Sequence, residues 1–115
     1  MVKNLTSGEF KSLYTKKDDV LINSDKKDSI LKFTAKWCGP CKMLAPILNK
    51  LSEKYPDIPI YEIDVDEEYE LSEMFNIRSI PTMYFVSRNG RYSQQVGALT
   101  EGQLEKFILK LKSGE

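Results

Sequence analysis

The chain predicts an α/β fold built on a sheet with both parallel and antiparallel strands. Apolar, strand-like runs alternate with amphipathic helical patterns along the whole sequence. The run Ile30-Leu31-Lys32-Phe33-Thr34-Ala35 is mostly apolar, as a buried central strand should be, and a long helical pattern follows it at once. Asn89-Gly90 marks a tight hairpin turn, which makes the strands on either side of it antiparallel.

Each element has its own signature. Val2 to Leu5 is a short first strand. Thr6-Ser7-Gly8-Glu9 has the form of a capping box and opens a helix with Phe10, Leu13 and Tyr14 on its apolar side. Val20 to Asn23 reads as a short strand, and Ser24 to Ser29 as a charged turn before the strand at 30–35. The helix that follows presents Leu44, Ile47, Leu48, Leu51 and Tyr55 at helical spacing. Pro46 inside it removes one hydrogen bond and predicts a kink. Ile58 to Val65 returns as a strand, completing a right-handed βαβ crossover. A third helix is expected over Glu67 to Phe75. Thr82 to Ser87 and Arg91 to Val96 then form the hairpin around a two-residue turn. Thr100-Glu101-Gly102-Gln103 caps a final helix with Leu104, Phe107, Ile108 and Leu111 on one face and Lys110 and Lys112 near its end. Ser113-Gly114-Glu115 is expected to fray. No linker, repeat or low-complexity tract divides the sequence, so residues 1–115 read as a single domain.

Composition narrows the function. At 115 residues the chain can enclose one hydrophobic core. Its 17 basic and 17 acidic residues balance, so no global field recruits nucleic acid or an anionic membrane. From Asp57 to Glu73 there are eight acidic residues and no lysine or arginine, either a solvated helix face or a surface for a partner. The start of the sequence is charged (Lys3, Glu9, Lys11) and does not resemble a signal peptide, and no segment is long and apolar enough to span a bilayer. Cytoplasmic residence and a monomer are the resulting expectations.

The chemistry lies in Trp37-Cys38-Gly39-Pro40-Cys41-Lys42, which holds both cysteines of the chain. A strand entering a helix whose first turn carries Cys-x-x-Cys suits thiol–disulfide exchange. The free N–H groups and positive end of the helix dipole favour thiolate over thiol. Lys36 and Lys42 add positive charge on either side. Three other readings compete. Zinc usually takes four ligands, and this chain has no histidine and no third cysteine. A structural disulfide closing so short a loop would restrain the unfolded chain little. A pair of inert core thiols sits poorly with Gly-Pro at a helix start.

The segment Ala35-Lys36-Trp37-Cys38-Gly39-Pro40-Cys41-Lys42-Met43-Leu44-Ala45-Pro46 resembles the active-site segment of the thioredoxin family. The resemblance continues through Ile63-Asp64-Val65-Asp66, Ile77-Arg78-Ser79-Ile80-Pro81-Thr82 and Val96-Gly97-Ala98. It implies a thioredoxin fold: a central mixed β-sheet of four to five strands flanked by helices on both faces. It also implies a protein disulfide reductase that contributes to cell redox homeostasis. Cys38 would attack the substrate disulfide, and the more buried Cys41 would resolve the mixed disulfide. Trp37, Gly39 and Pro40 would support the site. Pro81 would be cis, and Ile80 would hydrogen-bond an extended substrate segment. Trp37, Ile80, Pro81, Gly97 and Ala98 would together receive the substrate. No cofactor is implied beyond the redox-active Cys38–Cys41 disulfide, which a flavoprotein thioredoxin reductase would recharge. Partners would be that reductase and disulfide-containing proteins, not nucleic acid or membrane.

Two features depart from the family. The N-terminal portion is longer than usual, and the surplus around Lys16 to Ser29 should form a small hairpin or an extended loop. The family usually carries a buried aspartate six residues before the first cysteine, often paired with a lysine on the neighbouring strand. Here those places hold Lys32 and Glu62, with both signs reversed. An inverted ion pair beneath Cys41 would leave the proton-accepting work to Glu62, favour the thiolate and make the dithiol less reducing. Alternatively, Lys32 snorkels to solvent and Glu62 is an ordinary exposed carboxylate. Two other functions stand beside the reductase: a binding module that grips a partner through Trp37, Pro81 and Gly97 without turnover, and a disulfide oxidase or isomerase. The Gly-Pro pair disfavours the second.

Overall fold

The computed structural model of the chain describes residues 2–114. The elements run β1 (Val2–Asn4), α1 (Ser7–Leu13), β2 (Tyr14–Lys17), β3 (Val20–Asn23), β4 (Ser29–Thr34), α2 (Gly39–Lys54), β5 (Ile60–Asp64), α3 (Tyr69–Met74), β6 (Thr82–Val86), β7 (Tyr92–Val96) and α4 (Glu101–Ser113). Five strands form the main sheet in the order β1-β5-β4-β6-β7, and β2 and β3 form a separate two-stranded sheet. β1, β5 and β4 are mutually parallel, whereas β6 runs antiparallel to β4 and β7 antiparallel to β6.

β4 lies at the middle, and every one of its residues is buried. Alternation along it supplies both faces of the sheet. Leu31 and Phe33 pack with Phe10 of α1, Leu71 of α3, and Phe75 and Tyr84. Ile30 packs with Leu44, Leu48 and Leu51 of α2 and Leu104, Ile108 and Leu111 of α4. Helices therefore cover both faces, as the sequence predicts. Both expected capping boxes form, Thr6 with Glu9 and Thr100 with Gln103.

Four local expectations need correction. Tyr14 continues the apolar spacing of α1 but adopts extended backbone, φ −127° and ψ 146°, and begins β2 instead. It pairs with Asn23 in a hairpin that turns through Asp18 and Asp19, with Asp18 at φ 53°. The surplus N-terminal segment is thus a hairpin, and Leu21 ties it to the body by donating to the Gly90 carbonyl at 2.8 Å.

The turn at Asn89-Gly90 spans three residues rather than two. Ser87 N–H donates to Arg91 O, and Gly90 N–H to Ser87 O, at 2.8 and 2.9 Å. Only Gly90 has positive φ, at 95°, so the turn is not the type that needs two such residues. A Cβ on Gly90 would lie 2.7 Å from Val20 Cγ1, so the hairpin packs where only glycine fits.

α3 starts at Tyr69 rather than Glu67, because the Asp64 carboxylate accepts from the N–H groups of Asp66 and Glu67 at 2.8 and 3.2 Å. That local turn competes with the helix. At the other end of the chain, α4 continues through Ser113, where fraying is expected from the sequence; Glu115 lies outside the described residues. Gly114 caps it in the left-handed region, φ 82°, donating to Leu111 and Lys110 carbonyls.

Candidate active site

β4 delivers the chain to the site, and α2 begins there. Cys38 is the N-cap of α2, with extended backbone and a sulfur that accepts from Cys41 N–H at 3.2 Å. Pro40 falls in the first turn, where its missing N–H leaves no helical bond unmade. Cys38 and Cys41 are joined as a disulfide with their Cα atoms 5.3 Å apart. Both sulfurs belong to a small apolar cluster with Ala35, against which Val65 and Ile80 pack. Cys41 is 1% exposed and Cys38 4%, so Cys38 is the more accessible of the pair.

The surroundings sort the remaining candidates. Trp37 is 69% exposed, yet its orientation is held by Nε1–H donating to Asp66 Oδ2 at 2.8 Å. Lys36 is paired with Glu67 at 3.7 Å in a highly exposed bridge, so its charge is partly offset and contributes little. Gly39 is open on its outer side, where a Cβ would meet nothing within 4 Å.

Ile80–Pro81 is a cis peptide, and the Pro81 carbonyl accepts from Gly97 N–H at 2.8 Å. This bond places the loop after β7 beside the proline. Gly97 has φ 94° and open space where a Cβ would point, and Ala98 beside it is exposed. Trp37, next to Cys38, leaves its apolar ring unburied, and Met43, two residues after Cys41 on α2, is 77% exposed. Met43 is an apolar residue off the buried stripe of α2 and close after Cys41, a pattern the sequence carries. Asp66, the residue that fixes Trp37, gives no such signal, since only tertiary contact joins them.

Lys32 is fully buried, and its ammonium donates to the Cys41 carbonyl at 3.0 Å. It stands in register with Glu62 on β5, whose carboxylate lies 3.5 Å away. Burial pushes the Lys32 ammonium below its ordinary pKa, and Glu62 opposes that shift. Lys32 therefore does not snorkel, and the strands bring the two charges together.

The carboxylates of the acidic stretch are largely engaged within the chain. Glu68 accepts from Ser7, Glu70 pairs with Lys11, Asp57 with Lys112, and Asp64 closes its own turn. Among the described residues no cluster of three or more His, Cys, Asp or Glu is placed to hold a metal ion. No helix among them is long and apolar enough to cross a membrane.

Three comparisons bear on this geometry. The thioredoxin family model matches residues 3–110. Thioredoxin of Borreliella burgdorferi is 42% identical over 71% of this chain and 71% of its own. Thioredoxin of Haemophilus influenzae is 39% identical over 79% of this chain and 85% of its own. Among solved structures, chloroplastic thioredoxin z superposes with a TM-score of 0.84 at 25% identity, covering 97% of this chain and 95% of that one.

Proposed function

The chain belongs to the thioredoxin family and is a dithiol–disulfide oxidoreductase of the protein disulfide reductase type, and from that premise we propose how its residues divide the work. Cys38 is the attacking nucleophile and Cys41 the resolving thiol. The observation that carries this assignment is the placement of Cys38 at the N-cap of α2, its sulfur accepting from Cys41 N–H. That position presents helix N–H groups and the positive dipole end to a developing thiolate.

Reduced Cys38 attacks one sulfur of a substrate disulfide and expels the other as a thiolate. Cys41 then attacks Cys38, restoring the internal disulfide and releasing the second substrate sulfur. Trp37, Ile80, Pro81, Gly97 and Ala98 form the surface that receives an extended substrate segment. Its support is the exposed Trp37 next to Cys38, the packing of Ile80 against the cysteine cluster and the open side of Gly97. Gly39 and Pro40 shape the first turn of α2, and Lys32 and Glu62 support it from below.

The reaction needs no cofactor on this chain. Family members are recharged by thioredoxin reductase, and a flavoprotein of that kind is the proposed electron donor here, with disulfide-containing proteins as acceptors. A cytoplasmic monomer over residues 1–115 is the matching setting, because a dithiol that must be kept reduced suits a reducing compartment.

Turnover of a disulfide-bonded model protein tests the assignment. Cys41→Ser should accumulate a covalent complex through Cys38, whereas Cys38→Ser should form none and lose turnover. Equal trapping by both variants would overturn the division of roles.

A further inference from the structure

The buried Lys32 is not needed by the exchange reaction as written, yet it lies directly under the reacting helix. Its side chain is 1% exposed, and it reaches two acceptors, the Cys41 carbonyl at 3.0 Å and Glu62 at 3.5 Å. The titratable group against it is Glu62 on β5, and its other acceptor is the backbone carbonyl of Cys41, which ties the ammonium to the residue that carries the resolving sulfur. Met83 beside it on β6 and Asn4 beyond Glu62 on β1 are uncharged, and α4 turns Leu104, Ile108 and Leu111 to this face of the sheet. Nothing else therefore competes for the ammonium among those neighbours. Glu62 differs in access: its side chain is 30% exposed, so it touches solvent as well as Lys32.

We propose that Lys32 and Glu62 act as one positioning unit, Lys32 stabilising the thiolates from beneath Cys41 and Glu62 passing the Cys41 proton to solvent. This rests on Cys38 and Cys41 being the working dithiol. In the low dielectric of the site, a fixed cation favours a neighbouring anion more strongly than it would in water. By reciprocity, the thiolate raises the proton affinity of Lys32, so reduction of the disulfide and protonation of Lys32 reinforce each other. Burial alone pushes Lys32 towards its neutral form, and the contact with Glu62 opposes this.

The resolving step balances without a further reagent. Cys41–SH gives its proton to Glu62 through water, and the Cys41 sulfur attacks Cys38 of the mixed disulfide. The Cys38–Cys41 bond forms and the Cys38–substrate bond breaks, with the electron pair leaving on the substrate thiolate. That thiolate takes a proton from water, and Glu62 returns its own to solvent. The dithiol is oxidised by two electrons and the substrate disulfide is reduced by two.

The test uses the full chain, reduced, with iodoacetamide alkylation of Cys38 followed against pH and the dithiol–disulfide equilibrium measured in glutathione buffers. Lys32→Met keeps length and apolar bulk. It should raise the Cys38 titration midpoint by about one unit and shift the equilibrium about tenfold towards the disulfide, about 30 mV more reducing. Glu62→Gln should slow decay of the mixed disulfide at neutral pH by about tenfold or more, and Glu62→Asp should restore most of it. Lys32→Leu provides the same readings should the methionine variant not fold. Titration curves and equilibria coincident with the parent in a folded Lys32 variant would overturn the role of Lys32. Parent-like resolution in Glu62→Gln would overturn that of Glu62. A parent protein that alkylates normally but fails to turn over a disulfide substrate would instead overturn the reductase assignment beneath both.

Discussion

One charge pair lies at the entry of β4 and another towards its exit, and the two are built in opposite ways. At the entry, the buried member is the carboxylate of Asp28, its side chain 9% exposed, and Arg88 is half exposed. Asp28 accepts from Arg88 N–H at 2.8 Å and from its guanidinium at 2.9 Å, while the guanidinium also donates to the Leu111 carbonyl. That pair ties β4, the β6–β7 turn and the end of α4 with fixed, charge-assisted bonds. At the exit, the buried member is the cation, and one of its two acceptors belongs to the helix that carries the cysteines. A fully bonded pair is an anchor. A buried lysine held between a backbone carbonyl and a partly solvated carboxylate can respond when a thiolate appears above it.

The largest effect separates the two pairs by stability. Asp28→Ala leaves the Arg88 N–H and guanidinium without their acceptor, and should cost roughly 2–3 kcal/mol, less than for a fully buried pair because Arg88 is half exposed. Thermal melting should fall by about ten degrees, with the alkylation profile of Cys38 unchanged. Lys32→Met should do the reverse. Removing the Lys32 charge relieves a desolvation that outweighs its attraction to Glu62 and leaves that carboxylate partly solvated, while the Cys41 carbonyl loses one donor, so urea unfolding should show a loss of no more than about 1 kcal/mol while the thiolate titration shifts. A methionine variant as destabilised as Asp28→Ala would make Lys32 another anchor.

Glycines at the two ends of the fold sharpen the same contrast. Gly90 and Gly97 have nearly equal positive φ, but Val20 occupies the space beside Gly90 and nothing occupies that beside Gly97. Gly90→Ala should cost about 2 kcal/mol, from strain plus displacement of the hairpin, and leave turnover intact. Gly97→Ala should cost about 1 kcal/mol in strain alone and weaken substrate reduction by narrowing access beside Pro81. Chemical unfolding and turnover of the two variants check both claims.

The smallest effect is a pH dependence. Folded Lys32 releases its proton more readily than the unfolded chain does. Between those two titrations the unfolded state binds more protons, so stability rises with pH there. Urea unfolding of the parent should contain this rising component, and Lys32→Met should lack it.

What the sequence made legible follows from how local each signal is. The capping boxes, the apolar spacing of α2 and α4 and the Cys38–Cys41 spacing are all decided within a few residues, and the corresponding elements form. Tyr14 continues the apolar period of α1, but its partner Asn23 lies on another strand, so the local pattern does not reveal the start of β2. The turn length at Asn89-Gly90 depends on which residues pair across it, which the dipeptide alone does not encode. At the site, the cysteines and Pro81 stood out by motif. The Trp37–Asp66 bond and the Lys32 contact with the Cys41 carbonyl arise only when strands and helix are assembled. The partial offset of Lys36 by Glu67 likewise arises only from tertiary contact.

The most direct measurement of the central claim is redox equilibration in graded thiol–disulfide buffers, followed by the fluorescence of Trp37 beside Cys38. The account predicts one cooperative two-electron transition at a reducing potential, displaced to still more reducing values in Lys32→Met. A parent protein with intact thiols and no transition would contradict the claim that Cys38 and Cys41 form its working centre.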